Sequence, residues 1–271
     1  MEKVDIFETA SNNFLELSSI QRLQILNKLQ EKKSKPSELV KEFDSTRQEV
    51  YRNFSRLEDG YLIQKDFEGF YSLTEFGETI CSQIPSIVFL SQNMEYFKTH
   101  NFGNMPKKFK MRIGQLSKSE QIKGLGNVLE NWKKVCSEAK EFIYIATSEV
   151  IMDLERSLLS KLKEEIPISY LLSSTCILPD GREQFLKEMK IDNFIQKGTI
   201  ERRSRKTVST AVLVTEKDAI ISFPNIEGEP DFSKVFYGSD KDFHEWALDF
   251  FRYYWNDSSS YNENLMKKPL N

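Results

Sequence analysis

The order of short elements between residues 19 and 60 constrains the fold of this sequence most strongly. Apolar residues recur at helical spacing over residues 20–29, which predicts one amphipathic helix. A second, shorter helix is expected from Pro36, because proline lacks the N–H that has no partner in a first helical turn. Ser45 and Gln48 match a capping box, so a third helix is expected over residues 45–59, with Gly60 ending it.

Two short strands follow the third helix. Residues 61–65 and 70–73 read as strands, and the intervening Asp66–Gly69 is rich in turn-forming residues. Thr74 is then a suitable N-cap for another helix. Three helices followed by a hairpin are the element order of a winged helix-turn-helix domain, which we predict for residues 1–80.

The stretches that carry this pattern also resemble a known family. PSELVKEF at 36–43, RLEDGYLI at 56–63 and YSLTEFG at 71–77 are similar to the ArsR-like winged-helix domains of archaeal transcriptional regulators. The resemblance spans about residues 15–80, and it implies that the third helix enters the major groove of DNA while the hairpin tip approaches the backbone. The metal-sensing relatives carry cysteine near this helix; here residues 36–60 contain none, so metal sensing is not expected.

One face of the third helix supplies the candidate DNA-binding residues. Val50, Phe54 and Leu57 form its apolar stripe, and the opposite face is polar. Arg47 and Gln48 suit contacts with base edges, whereas the others suit phosphates. The predicted DNA-binding residues are Thr46, Arg47, Gln48, Tyr51, Arg52, Ser55, Arg56 and Lys65. The alternative interpretation is that this polar face of the helix contacts only solvent.

The net charge does not by itself favour a nucleic acid partner. The chain carries a net charge of −3, and residues 1–80 have 11 basic against 15 acidic side chains. Binding to double-stranded DNA must therefore depend on where the charges lie. The acidic balance keeps open an alternative function, a winged-helix protein-interaction module in a larger assembly.

A connector is expected over residues 81–118. Residues 75–100 have a long apolar stripe that Pro85 should interrupt, and this stripe could cover its own domain or form the interface of a homodimer. Residues 101–110, with Gly103, Pro106 and three lysines, are the candidate linker.

An α/β domain is predicted for residues 119–256, and a flexible tail is predicted for residues 257–271. A helix is expected over 119–140, then a strand, helix and strand over 142–147, 150–164 and 166–172, which form a right-handed parallel βαβ unit. Further strands are predicted at 199–203, 209–214, 219–223 and 235–237, and a last helix at 241–255. The aromatic cluster of that helix, Trp246, Phe250, Phe251 and Tyr254, suits a core better than a ligand cage.

This arrangement resembles the phospholipase-D-like domain that follows the winged helix in some archaeal regulators, including sugar-responsive ones. Active members of that fold carry His-x-Lys-x4-Asp; His100 and His244 are followed two residues later by Phe102 and Trp246, so the motif is absent. The predicted fold class is thus an α+β winged helix-turn-helix followed by an α/β domain of phospholipase-D-like type. We expect no catalytic activity and a sensing role for the second domain.

A small-molecule effector is the expected partner of the second domain. Ligands of parallel α/β sheets bind at the carboxyl ends of the strands. Small hydroxyl groups suited to sugar or phosphate follow two predicted strands, at Thr147, Ser148, Ser173 and Ser174. Arg202 and Arg203 begin the densest basic cluster, residues 202–206, read here as a turn that holds an anion or DNA. The alternative interpretations are that the hydroxyl groups cap helices or lie in turns and that the arginines lie in a solvated turn.

Other function classes lack a signal in the sequence. No apolar run reaches the roughly 18 residues of a membrane helix, and no N-terminal signal segment is evident, so a cytoplasmic protein is expected. Cys81, Cys136 and Cys176 are far apart in sequence, with no CxxC pair. Neither a disulfide framework nor a metal site is expected, and no cofactor.

Overall fold

The computed structural model describes residues 6–261. The chain divides into two compact units, residues 1–85 and 86–271. The first contains the predicted winged helix-turn-helix, and the second contains the predicted α/β domain.

The first unit has the expected element order. It contains α1 (Ile6–Leu17), α2 (Ile20–Glu31), α3 (Pro36–Glu42), α4 (Arg47–Asp59), β1 (Ile63–Lys65), β2 (Tyr71–Leu73) and α5 (Glu75–Cys81). Helix α1 precedes the predicted elements and buries none of its residues. Helices α2 to α5 and the hairpin enclose one core, which includes Leu26, Val50, Phe54 and Leu57.

Helix boundaries in this unit follow from caps. Ser19 accepts a hydrogen bond from the Arg22 N–H at the start of α2, and Thr74 does the same for Gly77 at the start of α5. The capping box of α4 lies one residue later than predicted, on Thr46 and Glu49 rather than on Ser45 and Gln48. The Ser45 hydroxyl instead accepts a hydrogen bond from Gln21 and donates to the Phe43 carbonyl, so it is not available to cap α4.

The hairpin pairs β1 with β2 in antiparallel register, with Ile63 opposite Leu73. Ser34, just before α3, exchanges two backbone hydrogen bonds with Tyr71, of 3.0 and 3.1 Å. These two hydrogen bonds therefore hold β2 of the hairpin against the turn between α2 and α3, and the tip of the hairpin lies beyond this contact.

The second unit is built around one sheet. Its first elements are α6 (Ile84–Gln92), whose first two residues precede the unit boundary, α7 (Met94–Phe97), α8 (Lys107–Met111), a 3-10 helix (Ile113–Leu116), β3 (Glu120–Lys123), α9 (Leu125–Glu138), β4 (Ile143–Thr147), α10 (Met152–Lys163) and β5 (Ile168–Ser173). The rest are α11 (Arg182–Glu188), α12 (Ile191–Gln196), β6 (Ile200–Arg205), β7 (Ala211–Thr215), β8 (Ala219–Ser222), β9 (Lys234–Gly238), α13 (Lys241–Asn256) and β10 (Ser259–Ser260).

Within the described residues this sheet has eight strands in the order β10-β6-β5-β4-β7-β8-β9-β3. Strands β4, β5 and β6 are parallel, which confirms the predicted βαβ unit. Side chains alternate between two cores: Ile145 and Tyr170 face α9 and α10, whereas Ala146 and Leu171 face α13. Helices on both faces explain why these strands read as continuous apolar runs, and the predicted α/β architecture of the second unit is confirmed.

The expected connector over residues 81–118 does not form a separate element. The break falls near Pro85, and Phe89, Tyr96, Phe109 and Leu116 are buried in the core beneath α13. The predicted linker, residues 101–110, also packs on the sheet, with the Asn101 N–H donating to the Pro224 carbonyl. The aromatic content of this segment is the reason, because burying these rings is more favourable than leaving them in water.

Three local expectations in the second unit were wrong. Residues 120–123 form the edge strand β3, not the start of a helix, and Gly124, with a φ of +90°, turns the chain into α9. The basic cluster 202–206 lies largely in strand β6 rather than in a turn. Residues 259–260, in the predicted tail, pair with β6 as β10, while 262–271 lie outside the described residues.

Candidate nucleic-acid interface and ligand cleft

A buried polar network sets the position of α4 against α2. The Asn53 side-chain N–H donates to the Gln21 carbonyl oxygen, and its own carbonyl accepts from the Arg22 guanidinium at 3.3 Å. Arg22 also donates to the backbone carbonyls of Leu15 and Glu16, at 2.8 and 2.7 Å. A satisfied buried network of this kind specifies one packing arrangement, and it leaves the opposite face of α4 in solvent.

That opposite face carries most of the predicted DNA-binding residues. Arg47, Gln48, Tyr51, Arg52 and Ser55 are all exposed along α4. Among the described residues, no carboxylate lies within ion-pair distance of Arg47 or Arg52. Two guanidinium groups are thus presented to solvent beside an amide, a phenol and a hydroxyl.

The side chains of Arg56 and Thr46 already form hydrogen bonds with carboxylates of the first unit. The Arg56 guanidinium donates to the Glu16 carboxylate of α1 through Nε at 3.1 Å and through Nη2 at 2.6 Å, and this pairing raises the pKa of Arg56. The Thr46 hydroxyl donates to the Glu49 carboxylate at 2.8 Å, and hydrogen bonds from Thr46 lower the pKa of Glu49. The predicted role of Thr46 and Arg56 at the interface must compete with these contacts.

The hairpin tip adds a residue that the sequence reasoning missed. Phe67 is 99 % exposed. The turn beneath it is held by Asp66, whose carboxylate accepts from the N–H groups of Glu68 and Phe70 at 3.0 and 2.9 Å. An aromatic residue at the centre of a four-residue polar turn is the sequence signal that could have indicated it.

Three lysines stand over aromatic rings beside the hairpin. The predicted Lys65 lies 5.7 Å from the ring centre of Tyr71, while Lys33 and Lys35 lie 4.8 and 4.4 Å from that of Phe70. Lys33 also pairs with Asp66 at 3.2 Å, which offsets the acidic charge of the turn. Lys33 and Lys35 were not predicted as interface residues, because the contact with Phe70 joins residues more than 30 positions apart.

A separate cleft of about 430 Å³ lies in the second unit. Its walls follow the carboxyl ends of the three parallel strands β4, β5 and β6, the edge where ligands of such sheets bind. Hydroxyl groups and two carboxylates supply its polar lining: Ser148, Ser173, Thr175, Thr207, Glu149 and Glu229.

Only part of the predicted effector set lies in this cleft. Ser148 and Ser173 line it, whereas Ser174 does not, and Thr147 is buried with its hydroxyl donating to the Glu149 carbonyl at 3.0 Å. Ser173 is itself partnered, with its hydroxyl 2.7 Å from that of Thr175. Glu149 and Glu229 were not predicted, because nothing local in the sequence marks a pair of carboxylates 80 residues apart as neighbours.

The predicted basic residues, Arg202 and Arg203, do not line the cleft together with the hydroxyl groups. Arg202 lies over the ring of Tyr261 at 4.5 Å, and Arg203 lies over Trp255 at 4.7 Å while pairing with Glu201 at 2.8 Å. The arginines of β6 therefore pack on aromatic rings and pair with carboxylates.

Neither histidine of the chain lines the cleft. His100 is buried, stacked on Tyr96, and its Nε2 lies 3.0 Å from Asp231. The His244 Nε2 lies 2.6 Å from the Thr215 carbonyl. Cys81, Cys136 and Cys176 are buried, and burial raises the pKa of Cys81 and of Cys176 to about 11. Among residues 6–261, no cluster of His, Cys, Asp and Glu could hold a metal ion, and no helix could span a membrane.

Comparison with known proteins gives matches at the level of domain and fold. The family described as "HVO_A0261 N-terminal domain" matches residues 12–90. Among curated proteins, none matches the chain.

Similar solved structures include TrmBL2, an archaeal chromatin protein, with 16% identity, a TM-score of 0.42 and coverage of 84% of this chain and 88% of that one. They also include Nuc of Salmonella typhimurium, a phospholipase D family member, with 14% identity, a TM-score of 0.40 and coverage of 54% and 100%. NucT of Helicobacter pylori has 12% identity, a TM-score of 0.41 and coverage of 53% and 99%. At these scores the likenesses carry no functional conclusion.

Proposed function

We propose that this protein is a dimeric, sequence-specific transcriptional regulator of archaeal ArsR-like type that binds double-stranded DNA and responds to an effector in its second domain. The observation that carries the proposal is the exposed face of α4. It presents Arg47 and Arg52 to solvent on a helix that a buried network holds in place. Helices of winged helix-turn-helix domains read the major groove with such a face.

The residues divide by the contacts they suit. Arg47 and Gln48 lie in the first turn of α4, where they can reach base edges, Arg favouring guanine and Gln adenine. Tyr51, Arg52 and Ser55 lie further along the same face and suit phosphate oxygens. Lys33, Lys35 and Lys65 would bring the hairpin to the backbone of the same duplex.

Dimer formation would place two α4 helices on successive half-sites about 34 Å apart. Two exposed apolar surfaces could be buried on association. One is on α1, where Ile6 and Phe14 are 75 % and 64 % exposed, and the other is on α6, with Ile87 and Leu90 exposed. A stable interface buries roughly 800 Å² on each partner, and exposed rings and aliphatic side chains of this kind supply such area.

The second domain would act as a sensor and not as an enzyme. The cleft at the carboxyl ends of β4 to β6 is its binding site in this proposal. Among the residues that line the cleft, none is a histidine, and both histidines of the chain form contacts inside the fold. Occupation of the cleft would bias the relative arrangement of the two winged helices in the dimer, and hence DNA affinity.

Salt titration of DNA binding tests this function. With a random-sequence 25-base-pair duplex, we expect the affinity of the whole protein to fall linearly on a logarithmic salt scale. Each lost phosphate contact lowers the slope by about 0.9. In Arg47→Ala plus Arg52→Ala, Arg52 is the residue assigned to a phosphate, so the slope should fall by about 0.9. The control is Arg156→Ala plus Arg252→Ala, which makes the same charge change at exposed positions of the second domain and should leave the slope unaltered. A flat response in the unaltered protein would contradict the proposal.

The protein-interaction alternative has one observation in its favour, the exposed apolar face of α1. The same titration separates the two functions. An interaction module would bind the duplex weakly, and both double variants would behave alike.

A further inference from the structure

The cleft at the carboxyl ends of β4, β5 and β6 has a distinct charge pattern. Glu149 follows β4 and Glu229 lies in the loop between β8 and β9, and both line the cleft with the hydroxyls of Ser148, Thr175 and Thr207. No Lys, Arg or His is among the described residues that line it. The lining of this space of about 430 Å³ therefore combines hydroxyl groups, which both donate and accept hydrogen bonds, with two carboxylates, and none of its described residues is cationic.

The two carboxylates are close enough to affect one another. Loss of surrounding water raises the pKa of Glu149, and the charge of Glu229 raises it further. Two like charges near one another repel, and a positive group placed between them would relieve the repulsion. A positively charged ligand that lies between Glu149 and Glu229 would therefore be favoured.

This pattern disfavours two ligand classes, the phosphates considered from the sequence and the metal ions that an acidic lining can hold. A phosphate or sugar phosphate would face two carboxylates with no Lys, Arg or His in the lining to oppose its charge. A resident metal ion is also disfavoured, since no cluster of three or more ligating His, Cys, Asp or Glu occurs among residues 6–261. A primary ammonium group has simpler needs, because it donates three hydrogen bonds and accepts none.

We propose that this cleft binds a small organic cation carrying primary ammonium groups, held by Glu149 and Glu229 and oriented by the hydroxyls of Ser148 and Thr175. The size of the cleft lies within the range of small-molecule sites, roughly 300 to 1,000 Å³. The proposal deepens the sensing role of the second domain proposed above and rests on it for its regulatory meaning. Binding itself can be measured without DNA.

Isothermal titration of the whole protein with 1,4-diaminobutane tests the proposal. We expect saturable binding that weakens about 10-fold to 100-fold in Glu149→Gln plus Glu229→Gln, because charge-assisted hydrogen bonds are lost. Glu130→Gln plus Glu138→Gln makes the same charge change on the exposed face of α9 and should retain the affinity. Titration towards acid should also weaken binding, since protonation removes the charge of Glu149.

Several outcomes would overturn the assignment. These are no saturable binding of the diamine, equal loss of affinity in both double variants, or saturable binding of inorganic phosphate or of calcium that the diamine cannot displace. The single variant Glu229→Gln, in an exposed loop, provides the same test if the double variant fails to fold. Because the titration contains no DNA, failure of DNA binding and failure of ligand binding are distinguished.

Discussion

At the scale of single residues, the main distinction is between two arginines of α4 that have no carboxylate partner among the described residues and one, Arg56, that has one. Arg47 and Arg52 have no carboxylate within ion-pair distance among the described residues, whereas Arg56 is held by Glu16 through two hydrogen bonds of 2.6 and 3.1 Å. Glu16 also pairs with Arg22 at 3.2 Å. One carboxylate of α1 therefore reduces the positive charge of the face that we assign to DNA.

Removing this carboxylate should increase DNA affinity. In Glu16→Gln the side chain keeps its shape, but Arg56 loses its charged partner and can contact a phosphate. We expect the slope of affinity against salt to steepen by about 0.9 for the one added contact. The measurement is the same duplex titration, with Glu31→Gln as control, because Glu31 is an exposed carboxylate of α2 that pairs with Lys28 at 3.6 Å. An unchanged slope in Glu16→Gln would mean that Arg56 does not reach the duplex.

At the scale of elements, the base of the hairpin depends on one close approach. A Cβ atom on Gly77 would lie 1.9 Å from the Leu62 carbonyl oxygen. That carbonyl also accepts the Thr74 N–H at 3.1 Å, so α5 and the start of β1 are in direct backbone contact. Only glycine allows helix α5 to begin this close to the hairpin.

Gly77→Ala should therefore destabilise the first unit. The added methyl group must push backbone apart, and we expect a loss of about 3 kcal/mol in the free energy of unfolding. Chemical denaturation followed by circular dichroism measures it. Gly126→Ala, in α9, is the matched control, since nothing lies within 4 Å of its Cβ position; alanine there should stabilise by roughly 0.5 to 1 kcal/mol. Similar effects of the two changes would contradict this account of the hairpin base.

At the scale of the whole molecule, the exposed apolar residues suggest association. Helix α1 buries none of its residues, and Ile6, Phe7 and Phe14 are exposed on it. Exposed rings grouped on one short helix are unusual for a monomer, and such patches mark interaction sites. A second copy of the chain is the occupant that the proposed function requires.

Charged substitutions on this helix should weaken the dimer. In Ile6→Glu plus Phe14→Glu, burying two carboxylates would oppose association, so sedimentation velocity should show a shift from dimer to monomer. Ile226→Glu, at an exposed position of the second unit, is the control and should leave the dimer intact. If the unaltered protein is a monomer at concentrations where it binds DNA, the proposed dimeric mechanism is wrong.

Local chemistry was enough to predict most elements. Helical spacing over residues 20–29, Pro36, Gly60 and the Asp66–Gly69 turn each indicate a local conformation, and the structure has the corresponding helices and hairpin. The errors are informative for the same reason. Ile122 suits a helix or a strand equally, and pairing with β9, more than 100 residues away, decided for a strand.

The sequence alone therefore determined the three-helix and hairpin order and the apolar strands of the sheet, because these depend on neighbours along the chain. Only the tertiary structure decided which charges lie near one another. Glu16 pairs with Arg56, and Glu149 and Glu229 line the same cleft, across separations of 40 and 80 residues. Electrostatic interactions depend on distance in space and on the water that folding removes, and neither quantity can be read from residue order.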